Sequence, residues 1–355
     1  MDTKELEEYY SDGHRCRGAG YLRFILMAFI CFWNYGFPEP TGALSAVSGF
    51  AIPCFYILSG YFVLPADKEL SAAKTANKLK RTAFCFTFLL LVYIVINVAF
   101  CITNNVEVPV TLRVKFNFLA LNLWPLPIGG NIMFIQSMLY AYLVIFIAQK
   151  LNLMRFYKPA IIITLILLLL TGEFAGLINF YFHGYYFIPA NWLTRALPYI
   201  LIGKLLREKE AKLLKIKAWK YILAWITGAF LSLAELFLLA YTGFVRYQGH
   251  MIGFGIMAVA ACGLAISRPE GKNTVITRFD TALSGMICIF MDPLYYLIGF
   301  LAGGRFPGLF SLFGGLAALA VSILLALVLR KNKLARILFT VSNRADKRRK
   351  IKQAS

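Results

Sequence analysis

The chain is poor in charge, and the charge it carries is lopsided. Asp, Glu, Lys and Arg make up 15% of its 355 residues, against about 25% in an average soluble chain, while apolar residues reach 59%. A water-soluble globular domain is thereby excluded. Histidine is scarcer still: the 3 present are His14, His183 and His250, and none has a triad partner in sequence. His183 and His250 read as amphipathic anchors at the membrane interface. No H-E-x-x-H, P-loop or G-x-S-x-G motif occurs, so zinc peptidase, nucleotide hydrolase and serine hydrolase chemistry has no support. The 7 cysteines (16, 31, 54, 85, 101, 262 and 288) are unclustered and lack C-x-x-C spacing. They read as small packing residues, with no metal site and no disulfide framework. Internal repeats, low-complexity linkers and any sizeable soluble domain are also missing.

What the chain has instead is long apolar blocks. Each is close to 20 residues, enough at about 1.5 Å per residue to cross a hydrocarbon core of roughly 30 Å. Helices are expected near 19–36, 43–64, 82–103, 131–149, 159–176, 190–206, 218–242, 249–267, 280–302 and 308–329. The segment MDTKELEEYYSDGHRCRG before the first block is too acidic for a signal peptide, so that block is expected to remain as the first helix. The expected fold is an all-α integral membrane bundle of ten transmembrane helices. Residues 1–18 form a cytoplasmic N-terminal segment, 19–329 the membrane domain and 330–355 a basic cytoplasmic tail.

Charge gives an independent check on this topology. With both termini inside, 31 of the 37 Lys and Arg fall in cytoplasmic segments and 4 in external loops (Arg113, Lys115, Arg246 and Arg305). Arg23 and Arg195 complete the count, inside expected spans. The formal net charge of +20 is therefore a topology signal and not a nucleic-acid-binding surface. The tail from Arg330 to Lys352 suits contact with anionic lipid headgroups, or serves orientation alone.

Four ionisable residues lie in expected spans: Arg23, Arg195, Glu235 and Asp292. At the centre of a helix each costs about 2.5–3.5 kcal/mol on insertion scales, so they are expected to face the bundle interior and find partners. Arg195 and Asp292 have similar expected depth and form the natural pair. Such a pair either fixes helix packing or belongs to a functional site.

The first two spans read GYLRFILMAFICFWN and AIPCFYILSGYFV. They resemble the opening of the acyltransferase type 3 family, in which an early Arg and, after ten residues, a His on helix one precede Phe-Phe-x-x-Ser-Gly-Tyr on helix two. Arg23, Phe55, Tyr56, Ser59, Gly60 and Tyr61 stand at those positions. Lys78-Leu79-Lys80-Arg81 matches the family's basic run before helix three. NIMFIQSMLYAYLV, LPYILIGKLL and ALSGMICIFMDPLYYLIG resemble its helix-four, helix-six and helix-nine segments. The departures are of one kind: Asn34, Asn131 and Asp292 stand where the family pattern has histidine.

The resemblance implies a membrane-bound acyltransferase that moves an acyl group, with acetyl expected, from cytoplasmic acyl-CoA to a cell-envelope carbohydrate or glycolipid. No bound cofactor is expected, and the location is the cell membrane. Arg23 and Arg81 would hold the acyl carrier, and the position of Asn34 is that of the general base. Asp292 is the replacement base among the titratable groups, because the Asn34 amide does not accept a proton near neutral pH. Phe55, Tyr56, Ser59, Gly60, Tyr61, Asn131, Arg195 and Glu235 would shape the site. Ser59-Gly60 has a second reading, close helix packing through small residues. The alternative function is a catalytically silent relative that binds or transports a glycan or lipid.

Overall fold

The computed structural model describes residues 17–35, 43–105, 112–122, 126, 128, 131–171, 191–241, 251–268 and 281–329. His14, His183, His250, Cys16, Glu39, Glu107, Glu173, Arg246 and the basic tail lie outside them. Among the described residues the regular structure is helical. In chain order these are α1 (Arg17–Tyr35), α2 (Ala43–Ser48), α3 (Ala51–Val63), α4 (Lys68–Asn104), α5 (Leu112–Leu121) and α6 (Ile132–Lys150). After a 3₁₀ turn follow α7 (Tyr157–Thr171), a π turn (Trp192–Ala196), α8 (Leu197–Glu208), α9 (Glu210–Leu213), α10 (Ala218–Tyr241) and α11 (Ile252–Ser267). The last elements are α12 (Thr281–Ile298), a second π turn (Gly299–Gly303) and α13 (Pro307–Leu329).

Each expected span contains helix, and six helical segments are long and apolar enough to cross a membrane. Their outward faces are apolar, as with Phe84, Leu91, Val95 and Ile102 on α4 and Leu312, Leu324 and Val328 on α13. A water-facing surface does not carry such a belt, whereas a bilayer solvates it. The polar end of α4 reaches beyond its expected start at residue 82 because the sequence supplies a cap. Asp67 accepts the Leu70 N–H at 2.8 Å, and Glu69 in the first turn suits the helix dipole.

Close approach of backbones sets the packing. A Cβ on Gly60 of α3 would lie 2.0 Å from the Ile200 carbonyl oxygen of α8, and one on Gly203 would lie 2.2 Å from that of Ile57. The two helices therefore cross at a pair of glycines, the small-residue device of membrane bundles. Gly228 and Gly253 bring α10 and α11 together in the same way.

Candidate functional site

The three positions at which the family pattern has histidine come together in space. The Asn34 side-chain amide, near the end of α1, donates to Asn131 Oδ1 at 3.1 Å. Asn131, at the start of α6, donates its backbone N–H to Asp292 Oδ2 at 2.9 Å and its side-chain amide to the Cys288 carbonyl at 2.7 Å. Tyr35, next to Asn34, donates its hydroxyl to Asp292 Oδ1. Both oxygens of a carboxylate that is 6% exposed are thus occupied.

A proline builds this arrangement. Pro293 lies inside α12 and has no N–H for the Ile289 carbonyl, so the helix must open there. Tyr93 of α4 fills the gap by donating its hydroxyl to the Ile289 carbonyl at 2.6 Å. One residue earlier, the Cys288 carbonyl takes the Asn131 amide. Around Pro293, α12 therefore presents Asp292 and two backbone acceptors to α1, α4 and α6. Behind them Asn97 of α4 fixes the approach to α6, with Oδ1 accepting the Ile128 N–H at 2.9 Å and Nδ2 donating to the Ile128 carbonyl at 2.6 Å. Tyr295 stacks on Tyr35 at 4.2 Å between ring centroids.

The expected ion pair of Arg195 with Asp292 is not formed. Among the described residues the ion pairs are Lys204–Glu208 and Arg207–Glu210. Asp292 instead faces the N-terminus of α6, whose partial positive charge and free N–H groups replace a cation. Glu235 is met in the same manner, accepting the Ile252 N–H at 3.0 Å where α11 begins. Both intramembrane acids thus use helix N-termini. Sequence matching alone misses this, because it scores side chains and not backbone donors.

Arg195 sits elsewhere, on the π turn ahead of α8, where its charge acts on Tyr56 and Tyr199. Tyr56 stacks on Phe134 of α6 at 4.8 Å, with Phe55 edge-on to the same ring at 6.1 Å. Ser59 hydrogen-bonds the Tyr142 hydroxyl at 2.7 Å. Ser59 and Gly60 thus both make packing contacts between helices.

A basic group forms toward the other end of α1. Arg23, 8% exposed, lies over the Phe62 ring at 5.2 Å. The charges of Arg23 and Arg81 both act on the Lys78 ammonium. Eleven residues of helix separate Arg23 from Asn34, about 16 Å of rise with only about 20° of rotation. Tyr61 belongs to the same end: its ring lies 5.2 Å from the Arg207 guanidinium, which donates to its hydroxyl at 3.1 Å.

Tyr35, Tyr93, Cys288 and Pro293 complete the Asp292 cluster and were not singled out by sequence. One signal for them existed, a proline directly after an intramembrane acid. Among the described residues no group of three metal-ligating side chains occurs. No family model, no curated protein and no solved structure matches the chain.

Proposed function

We propose that this protein is a ten-span membrane acyltransferase, with both termini cytoplasmic, that moves an acyl group from acyl-CoA to an extracytoplasmic carbohydrate or glycolipid. One observation carries the reading: the residues at the three histidine positions meet in one hydrogen-bonded cluster, and Arg23 lies about three turns from Asn34 on the same face of α1. Independent packing helices have no reason to bring Asn34, Asn131 and Asp292 together.

In this reading the basic group holds the phosphates of the acyl carrier, where a guanidinium binds oxyanions bidentately. The acceptor hydroxyl oxygen bonds to the acyl carbon as the carbon–sulfur bond breaks. Its proton passes to Asp292, either directly or through the Tyr35 hydroxyl, and then to the departing thiolate. Asn131 supplies position: its N–H and amide tie Asp292 to the Cys288 carbonyl.

The second reading is a silent relative that binds a glycan or lipid. It is favoured by the Asn34–Asn131 amide pair, which cannot shuttle protons. The two are separated by incubating purified protein in vesicles with radiolabelled acetyl-CoA and following label into envelope glycan fractions. Label in a glycan that disappears with Arg23→Ala supports transfer. Glycan binding with neither acetyl-CoA binding nor transfer supports the silent reading.

A further inference from the structure

Arg195 is the charged residue that the cluster at Asp292 leaves over. No carboxylate among the described residues lies within ion-pair distance of it, and its Nε is sealed from solvent with no hydrogen-bond partner. A guanidinium held in an apolar bundle without an acceptor is costly, and such residues are functional-site candidates by default.

Its backbone setting is built for display. Arg195 lies in a π turn, a widened stretch of helix that recurs at functional positions. The turn is fixed by a reciprocal cap: Asn191 Oδ1 accepts the Leu193 and Thr194 N–H groups at 2.9 and 3.3 Å, while Thr194 Oγ1 accepts the Asn191 N–H at 3.1 Å. Both sequence neighbours, Thr194 and Ala196, are buried, yet Arg195 keeps accessible surface. The Arg195 charge acts on Tyr56 of α3 and on Tyr199, one turn further along α8. Tyr56 in turn interacts with Ser137 of α6, whose hydroxyl accepts from Asn122 at 2.6 Å. Arg195 thus lies within electrostatic reach of tyrosines on α3 and α8, and no carboxylate among the described residues forms an ion pair with it.

We propose that Arg195, with Tyr56 and Tyr199, forms an oxyanion-binding site that recognises a carboxylate or phosphate on the acceptor, separate from the Arg23, Lys78 and Arg81 group. This rests on the acyl-transfer reading only for the word acceptor; the site itself is the same in a silent binder. It assigns the acceptor to an acidic class, either a uronic-acid sugar or a phosphorylated lipid.

The experiment uses the full chain purified in a neutral maltoside detergent. Phenylglyoxal modifies free guanidinium groups, and mass spectrometry of the peptide carrying Arg195 reads the rate. Glucuronate and dodecyl phosphate are the two probes, with glucose and dodecyl maltoside as their uncharged counterparts. Modification of Arg195 is expected to slow at least tenfold with one charged probe and with neither neutral one; which probe protects distinguishes sugar carboxylate from lipid phosphate. Equilibrium binding of the protecting probe is expected to fall at least tenfold in Arg195→Gln. Because protection is read on the native chain, it stands even where Arg195→Gln fails to fold. The inference is overturned if Arg195 resists modification under all conditions, if neither charged probe protects it, or if a folded Arg195→Gln binds the probe normally. Protection of Arg195 in a protein that transfers no acetyl group would sink the transfer reading and leave this site standing.

Discussion

Replacing Asn34 by histidine should create a general base where the protein has an amide. The geometry favours the exchange. Asn34 is exposed, so a larger ring has room, and its amide nitrogen donates to Asn131 Oδ1 at 3.1 Å. The Nδ1 of an imidazole is as many bonds from Cβ as that amide nitrogen, so Nδ1–H can keep the bond to Asn131. That bond fixes the tautomer and leaves Nε2 as the proton acceptor. A positioned base contributes typically 10²- to 10⁴-fold, which at about 1.36 kcal/mol per tenfold is roughly 2.7–5.5 kcal/mol of barrier. In vesicles supplied with radiolabelled acetyl-CoA, N34H should raise transfer by that range. The gain should appear as pH rises through about 6.5, because only the neutral imidazole accepts a proton. Asn34→Gln, which retains an amide, should give no gain. If N34H folds and binds acetyl-CoA like the natural protein but transfers no faster at any pH within about 1.5 units of the usual imidazole value of about 6.5, the reasoning fails.

The remaining expectations concern the frame. Pro293→Ala supplies an N–H that competes with the Tyr93 hydroxyl for the Ile289 carbonyl; it should leave detergent stability equal or higher while lowering activity, and equal activity would remove Pro293 from the argument. Asn97→Ala orphans the N–H and carbonyl of Ile128, at about 1–3 kcal/mol each, and its melting temperature should fall while Thr103→Ala, on the exposed side of the same helix, changes little. Gly60→Ala places a methyl against a backbone carbonyl that cannot swing away, so a loss of about 1–3 kcal/mol is expected, and an unchanged melting temperature would refute the α3–α8 crossing. Burial opposes ionisation of Glu208, but hydrogen bonds from Lys204 and Tyr157 and the charges of Lys204 and Lys158 outweigh it and hold its carboxyl below the usual range. Because its folded value is depressed, its stabilisation is fully present above about pH 4.5 and is lost as pH falls through the lower folded value. Glu208→Gln should flatten the acid limb of a melting-temperature profile below that pH.

The helices were legible because their signal is redundant. Apolar length and the Lys and Arg bias mark the same spans, whereas the Asp67 cap overrides the apolar window and starts α4 early. Pairing of the buried charges was not legible. Charge complementarity suggested Arg195 for Asp292, whereas the fold meets Asp292 and Glu235 with the backbone N–H groups that open α6 and α11. Every helix has such donors whatever its sequence, so composition carries no trace of which acid will receive them.

Three positions of the proposed site were legible one by one, and their contact in space was not. Asn34, Asn131 and Asp292 were marked one by one as departures from a histidine pattern, and the fold makes them neighbours. All three are polar and are joined in one network, which Tyr35 and Tyr93 extend from α1 and α4. Packing alone would be served as well by leucine at Asn34, whose side chain is exposed and whose one bond is to another amide. The cluster around Asp292, beside Pro293, therefore offers donors and acceptors that the proposed ligand site would use.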